Sequence, residues 1–318
     1  QPLKMVPQFS SKSYWNTRFT DSPTSFDWLL PASTLDPLLR TTLASHADPP
    51  FPQILHIGCG TSWLSFHLRA HVAHPSQVLN LDFSETAIAL GRAKEADLYP
   101  EEHAEPDALS SAEAWQRDGS SEIGAREEGG GMRWATADLL SFGSLVEAVG
   151  GTTAASRFSV VLDKSTSDAV ACAESIPAAD ALLGMDAAML DPEAYARVVE
   201  LQDRESELKR GGDLLDPMIV LALHLAAVTV AGGTWIAVSH SRERFWFLEG
   251  GTDPRVDESD GAREYAERPS ELDPKRFWRV ERKEALDAPG SDERSNGAVH
   301  PPRIQHWLYL LIRSNKSL

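Results

Sequence analysis

Three aspartates and a glycine loop are spaced like the parts of a nucleotide site. The loop Gly58-Cys59-Gly60 follows the apolar run 53–57, and glycine lets a backbone come close to a ligand because it has no side chain. Asp82 stands 22 residues after Gly60, a separation at which a carboxylate accepts hydrogen bonds from a ribose diol. Asp138 is placed to accept from an adenine amine, and Asp163 ends a further strand. In strand order these residues predict an adenosine site; the alternative is that Asp82 and Asp138 only cap the helices that follow.

Trp63, three residues after the last glycine of this loop, argues against a dinucleotide ligand. A dinucleotide fingerprint has a third glycine, where the helix packs against the strand and the pyrophosphate meets the helix N-terminus. Trp63 occupies that position and is too bulky for the role. An adenosine ligand that carries an amino acid instead of phosphates tolerates the substitution, so the pattern favours such a ligand.

The elements that must position these residues alternate between strands and helices. Short apolar runs bounded by glycine, proline or polar residues predict strands. These runs are 53–57, 78–82, 132–138, 158–163, 234–239, 277–280 and 306–312. Helices are predicted from Ser62 to about Val72, after the N-cap Ser84, and from Asp216-Pro217 to Val230, where Gly232-Gly233 should end the helix. The order predicts an α/β fold with a Rossmann-like, doubly wound, mostly parallel seven-stranded sheet and an antiparallel C-terminal strand.

We expect one domain over residues 1–318 with three additions to the sheet. Residues 1–50 carry two aromatic clusters and are interpreted as an arm or lid, with core aromatics as the alternative. Residues 96–131 are acidic and rich in glycine and serine, which predicts a solvated insertion. Residues 172–215 are charged and predict a helical insertion.

The composition limits the partners. Thirty Lys and Arg against 47 Asp and Glu give a net charge of −17, which disfavours nucleic acid and suits a basic protein or a small molecule. There is no apolar run of the roughly 18 residues that a membrane span needs. The two cysteines offer no disulfide framework, so we expect a monomeric, cytoplasmic protein. No metal site is expected: His67 and His71 have the i, i+4 spacing of some zinc ligands, but the sequence shows no third ligand beside them.

The chain, apart from its insertions, resembles the methyltransferase-like family of class I S-adenosylmethionine-dependent enzymes that includes elongation-factor and citrate synthase lysine methyltransferases. The resemblance is carried by Tyr14-Trp15-Asn16-Thr17-Arg18-Phe19, Phe26-Asp27-Trp28, Gly58-Cys59-Gly60, Leu81-Asp82, Asp163-Lys164-Ser165-Thr166-Ser167-Asp168-Ala169 and, more loosely, His240-Ser241-Arg242-Glu243-Arg244-Phe245. It implies S-adenosylmethionine as the cofactor. The expected cofactor contacts are Trp15, Arg18, Phe19, Trp28, Gly58, Gly60, Asp82, Phe83, Asp138, Leu139, Asp163 and Lys164. Phe19 replaces the family tyrosine, and Ser165 and Ser167 replace Gly and Leu beside the substrate channel.

Methyl transfer chiefly requires alignment of the nucleophile, and a lysine nucleophile must first lose its proton. Asp163, Asp168 and His240 are the candidates to receive it, although Asp168 could equally well cap a helix and Asp163 could equally well hold a loop. The resemblance implies a protein lysine as acceptor, possibly in a translation elongation factor. A small-molecule N-, O- or S-methyltransferase and a cofactor-binding module without catalysis are the alternatives.

Overall fold

The computed structural model describes residues 7–46, 52–100, 130–153, 157–185, 214–250, 272–288 and 304–316. Their centre is a seven-stranded sheet in the order β3-β2-β1-β4-β7-β9-β8. The strands are β1 (Ile54–Ile57), β2 (Val78–Asp82), β3 (Arg133–Thr136), β4 (Phe158–Lys164), β7 (Thr229–Ser239), β8 (Trp278–Asp287) and β9 (Gln305–Arg313). The pairs from β3 to β7 are parallel, and β9 is antiparallel to both of its neighbours, β7 and β8. The predicted fold class is confirmed, and β9 is the predicted antiparallel C-terminal strand.

Helices cover both faces of this sheet. They are α1 (Lys12–Asp21), α2 (Asp36–Ala44), α3 (Leu64–Arg69), α4 (Glu85–Leu98), α5 (Phe142–Val149), α6 (Thr166–Val170), α7 (Ala178–Ala181), α8 (Pro217–Val228) and α9 (Trp246–Glu249). On one face α8 is buried at every position, and Phe142 of α5 belongs to the same apolar cluster. On the other face the cluster includes Leu39 of α2 and Leu64 of α3. The N-terminal segment is therefore part of the packed domain.

The boundary between α8 and β7 differs from the prediction. The helix ends at Val228 and the strand begins at Thr229, so Gly232-Gly233 lies inside the strand. The pairing with β4 shifts there, because Phe158 pairs with Thr229 but Val160 pairs with Thr234. Gly232 has φ +77, a conformation that favours glycine, so the glycines form an irregularity in the strand where the sequence pattern predicted a helix end.

The two predicted insertions lie mostly outside the described residues. Residues 96–98 belong to α4, and α3 is shorter than predicted, ending at Arg69. The ends of the 172–215 insertion meet in a two-stranded antiparallel sheet of β5 (Ile176–Pro177) and β6 (Leu214–Leu215). Among the described helices, none combines the length and apolarity that a membrane crossing demands.

Candidate functional site

A cavity of about 490 Å³ lies where the loops after β1, β2, β3 and β4 meet, with His240 beyond β7 on its wall. This volume falls within the range of roughly 300–1,000 Å³ that is typical of ligand pockets. The cavity is at the carboxyl edge of the parallel strands, where the doubly wound topology predicts a ligand. Of the expected cofactor residues, ten line it: Trp15, Phe19, Trp28, Gly58, Gly60, Asp82, Phe83, Asp138, Leu139 and Lys164.

The glycine loop borders the cavity, and Gly58 leaves no space for a side chain. Gly58 and Gly60 have φ values of +56° and +50°, which favour glycine. A Cβ at Gly58 would lie 2.1 Å from Oγ1 of Thr166, and that hydroxyl donates to the Ile57 carbonyl at 2.9 Å. The loop after β4 is thus fastened against the loop after β1.

Asp82 at the end of β2 holds two backbone groups and still faces the cavity. Oδ2 accepts from the Gly60 N–H at 2.8 Å, and Oδ1 accepts from the Ser84 N–H at 2.8 Å. Burial raises the pKa of Asp82 to about 6, and these N–H donors oppose that rise. A carboxylate oxygen accepts more than one hydrogen bond, so each oxygen keeps capacity for a ligand hydroxyl.

Asp138 follows β3 on the same edge. Its Oδ1 accepts from the Leu140 N–H at 2.9 Å, and its own N–H donates to Ser144 Oγ at 3.0 Å. This turn directs Asp138 and the largely buried Leu139 to the cavity wall. A polar acceptor beside an apolar surface is suited to a flat, amine-bearing ring.

The N-terminal arm, defined here as residues 7–46, supplies the aromatic wall of the cavity. Phe9, Trp15, Phe19, Phe26 and Trp28 all line it. Trp15 and Phe19 lie one turn apart on α1 with stacked rings 5.6 Å apart, and Phe26 meets Trp28 edge to face at 5.0 Å. The arm therefore presents a continuous apolar surface to any bound molecule.

Lys164 connects this arm to the sheet. Its Nζ donates to Asp27 Oδ1 at 2.7 Å and to the Leu30 carbonyl at 3.3 Å. Ser62, in the loop before α3, donates to the same Asp27 oxygen. Burial opposes the charge of Asp27, but the bonds from Lys164 and Ser62 outweigh it and lower the pKa of Asp27. Asp27 belongs to the Phe26-Asp27-Trp28 motif, but the sequence predicted no role for it. Its bond to Lys164 spans 137 residues, so no local pattern could show it.

Two expected cofactor residues lie outside the cavity lining. The Arg18 guanidinium sits over the rings of Phe26 and Trp28, at 5.1 and 5.4 Å from their centroids. Asp163 is buried beneath the loop after β4, where its Oδ1 accepts from the N–H groups of Thr166 at 2.9 Å and Ser167 at 3.1 Å. Burial raises the pKa of Asp163 to about 7. In this geometry Asp163 holds the loop after β4, which is the structural alternative to proton transfer that the sequence allowed for it.

Asp168, at the opposite end of the cavity, is the centre of a polar network. Ser165 Oγ donates to its Oδ2 at 2.8 Å, the Arg244 Nη2 lies 2.8 Å from its Oδ1, and Ser239 also donates to Oδ1. Burial opposes the ionisation of Asp168, but the hydrogen bond from His240 and the Arg244 charge outweigh it and lower its pKa to about 2. Asp168 is therefore a fixed carboxylate and not a proton acceptor at neutral pH.

His240 forms a dyad with this carboxylate. Its Nδ1 lies 3.1 Å from Asp168 Oδ2, and its backbone N–H donates to the same oxygen at 3.1 Å. The bond to Asp168 raises the pKa of His240 above its ordinary value. The imidazole is 63% exposed and lines the cavity, so Nε2 is the nitrogen that a substrate can reach. Ser239 and Arg244, which support the dyad, carried no predicted role because they meet Asp168 only across 71 and 76 residues.

Comparison with known proteins gives one curated relative and weak structural likenesses. No family model matches the chain. The chain is 32% identical over 180 residues to Methyltransferase srdJ of Neurospora crassa, a stretch that covers 57% of this chain and 60% of that protein, less than two thirds of its length.

Solved structures align over nearly the whole chain at low similarity. Magnesium protoporphyrin IX methyltransferase of Synechocystis with bound S-adenosylmethionine has 12% identity, a TM-score of 0.44 and coverage of 99% of this chain and 100% of that one. N-methyltransferase NodS of Bradyrhizobium japonicum has 13% identity, a TM-score of 0.38 and coverage of 97% and 95%. The fold assignment accordingly rests on the sheet order and strand directions given above.

Proposed function

We propose that this protein is an S-adenosylmethionine-dependent methyltransferase. The observation that carries the proposal is Asp82: a buried carboxylate at the end of β2 that lines the cavity and is held by the N–H groups of Gly60 and Ser84. A ribose diol offers two donors at adjacent carbons, and this carboxylate has one accepting oxygen for each. Asp138 and Leu139 would then hold the adenine, as the sequence resemblance implies.

The remaining residues of the cavity fit the rest of that cofactor. The loop of Gly58 and Gly60 leaves room beside the β1 end, and the rings of Trp15, Phe19 and Trp28 can shield a sulfonium from water. Bound S-adenosylmethionine would supply an activated methyl group. The printed name of the Neurospora crassa relative, a methyltransferase, supports the same activity.

His240 is our candidate general base for the acceptor. A neutral acceptor hydroxyl must lose a proton as the new bond to the methyl carbon forms, and a protonated amine must lose one beforehand to free its lone pair. Nε2 of His240 can receive either proton. Asp168 orients the ring through Nδ1 and stabilises the imidazolium that results. The methyl donor would leave as a neutral thioether that keeps the electron pair of its C–S bond, so the transfer balances.

The surroundings of His240 favour a small molecule with an apolar body and a hydroxyl or amine. Ala169, Val170 and Ala173 share the lining with the arm aromatics Phe26 and Trp28. The Asp168 charge is balanced by Arg244, so among the described residues this end offers no unpaired carboxylate that would attract a lysine ammonium. The protein lysine that the sequence resemblance implies is the competing acceptor, and the acidic overall charge is the feature in its favour.

Titration calorimetry tests the cofactor assignment. We expect S-adenosylmethionine and S-adenosylhomocysteine to bind, NADH not to bind, and D82N to weaken cofactor binding by about 10- to 100-fold, because hydrogen bonds to a charged group contribute about 1.5–3 kcal/mol. D97N, an exposed aspartate on α4, is the matched control and should bind like the wild type. Tight NADH binding, or equal affinity in D82N and D97N, would refute the assignment.

A second experiment separates the acceptors. The protein is incubated with methyl-labelled cofactor and a cell lysate that has been split by filtration into protein and metabolite fractions. Label in the metabolite fraction supports a small-molecule acceptor, and label on a single protein band supports the lysine acceptor. Binding of cofactor without any transfer would favour a binding module over an enzyme.

A further inference from the structure

The Nε2 atoms of His67 and His71, two histidines at the C-terminal end of α3, both contact one carboxylate oxygen of Asp36. His67 is in the last turn of α3, and His71 lies just beyond the helix end, four residues later. Residues four apart on a helix lie on the same face. Their rings are 5.2 Å apart, and the Nε2 atoms of both contact the same carboxylate oxygen, Oδ1 of Asp36.

Asp36 brings the third ligand from a different part of the chain. It is the first residue of α2 in the N-terminal arm, 31 residues before His67. The distance from His71 Nε2 to Asp36 Oδ1 is 3.0 Å, and the three atoms lie within 4.8 Å of one another. Ligand atoms at about 2.0–2.2 Å from a zinc ion are separated from each other by at most about 4.4 Å, so a small adjustment would place all three on one ion.

The donor set and its exposure suit a particular class of cation. Two imidazoles and one carboxylate match Zn²⁺ and its neighbours among the transition metals, whereas Mg²⁺ and Ca²⁺ prefer oxygen ligands throughout. The side chains of His67, His71 and Asp36 are 26%, 12% and 25% exposed. The cluster is therefore partly shielded but reachable by solvent, from which a fourth ligand would have to come.

We propose that Asp36, His67 and His71 form a binding site for Zn²⁺ or a similar divalent transition metal. None of the three lines the cavity, so the ion would have a structural role. It would join α2 of the arm to α3, the helix that follows the glycine loop. The sequence offered only the histidine pair; the fold supplies the missing ligand. This site does not depend on the proposed methyl transfer.

The ordinary alternative is an aspartate that accepts hydrogen bonds from two histidines. In that case both Nε2 atoms carry hydrogen, the cluster needs no ion, and metal leaves the stability of the protein unchanged. In the metal site both Nε2 atoms use lone pairs, so affinity falls when the histidines become protonated. The two interpretations therefore predict different results for Zn²⁺ affinity and for the effect of Zn²⁺ on the Tm and on amide exchange in α2.

The test uses tag-free, full-length protein that has been stripped with a chelator. Zn²⁺ is titrated by competition with a chromophoric chelator, with Mg²⁺ as the oxygen-preferring control ion. The variants are D36N, H67Q and H71Q, and H46Q removes an arm histidine outside the cluster. Circular dichroism verifies that each variant is folded, and the near-isosteric D36N keeps the test valid if a histidine variant is unstable.

We expect one equivalent of Zn²⁺ in the wild type and in H46Q, and at least about 100-fold weaker binding in the three ligand variants, because even residues behind the ligands alter metal affinity by 10- to 100-fold. Zn²⁺ should raise the Tm and slow amide exchange in α2 of the wild type but not of D36N. Wild-type affinity in D36N, or no Zn²⁺ binding at all, would overturn the site. Zn²⁺ binding that leaves exchange in α2 unchanged would overturn the proposed connection between the arm and α3.

Discussion

The two ends of the cavity are built in different ways. At the cofactor end, Asp82 and Asp138 are each fixed by backbone N–H groups of their own turns, and Asp82 takes one further bond from the glycine loop. At the acceptor end, Asp168 is held by Ser239, His240 and Arg244, which come from β7 and the loop beyond it. The first end uses local backbone geometry, and the second uses a network of side chains between distant segments. A single substitution should therefore affect the two ends differently.

The largest effect should come from His240. If it is the general base, H240Q should lower kcat by about 10²- to 10⁴-fold, the usual contribution of proton transfer. The affinity for the cofactor should stay at the wild-type value, because His240 lies at the other end of the cavity. Single-turnover kinetics and calorimetry measure the two quantities.

The pH dependence of the same reaction sharpens this test. Only the neutral imidazole accepts a proton, and the pKa of His240 is raised by Asp168. The rate should therefore rise with pH through a midpoint above the ordinary histidine value, and H240Q should lose that rise. An unchanged profile in H240Q would remove His240 from the mechanism.

A smaller effect is expected at Lys164, which connects the arm to the sheet. K164M removes the bonds to Asp27 and Leu30, while Asp27, with a side chain 24% exposed, can be hydrated instead. The arm should be cleaved faster in limited proteolysis, and cofactor affinity should fall about fivefold, corresponding to about 1 kcal/mol for a partly exposed pair. K275M, an exposed lysine away from the arm, is the control. Equal cleavage of both variants would contradict this role of Lys164.

The last prediction concerns stability and not activity, at Asp163, which is buried beneath the loop after β4. Its pKa is raised to about 7 by burial, so the folded protein keeps a proton that the unfolded chain releases above about pH 4. Wild-type stability should fall as pH rises through this window. D163N keeps an oxygen for the Thr166 and Ser167 N–H groups and carries no charge. We expect D163N to gain up to about 4 kcal/mol over the wild type at pH 8 relative to pH 4, because the shift is about three pKa units and each unit corresponds to about 1.4 kcal/mol. Denaturant unfolding measures this difference. Parallel stability curves for the two proteins would contradict the raised pKa.

The same contrast explains what could be predicted from the sequence. The sheet, the glycine loop, Asp82 and Asp138 were accessible because strand patterns and the spacing along one chain segment determine them. Lys164 was expected to contact the cofactor, and it does line the cavity. Its ammonium group, however, donates a hydrogen bond to Asp27, 137 residues earlier in the chain. The contacts of Asp36 with His67 and His71 likewise join residues 31 and 35 positions apart in the sequence. Such contacts depend on how α2, α3 and the loops pack, and no periodicity in the sequence encodes that.

The arm also gives the protein an optical signal. Trp15 and Trp28 line the cavity and lie within 6.3 Å of each other, next to the space where a ligand would enter. Indole emission responds to local polarity and to stacking with other rings. Ligand entry, arm displacement and product release should each change the intrinsic fluorescence of the unlabelled protein, so the individual steps of a turnover can be followed in a stopped-flow instrument without a reporter group.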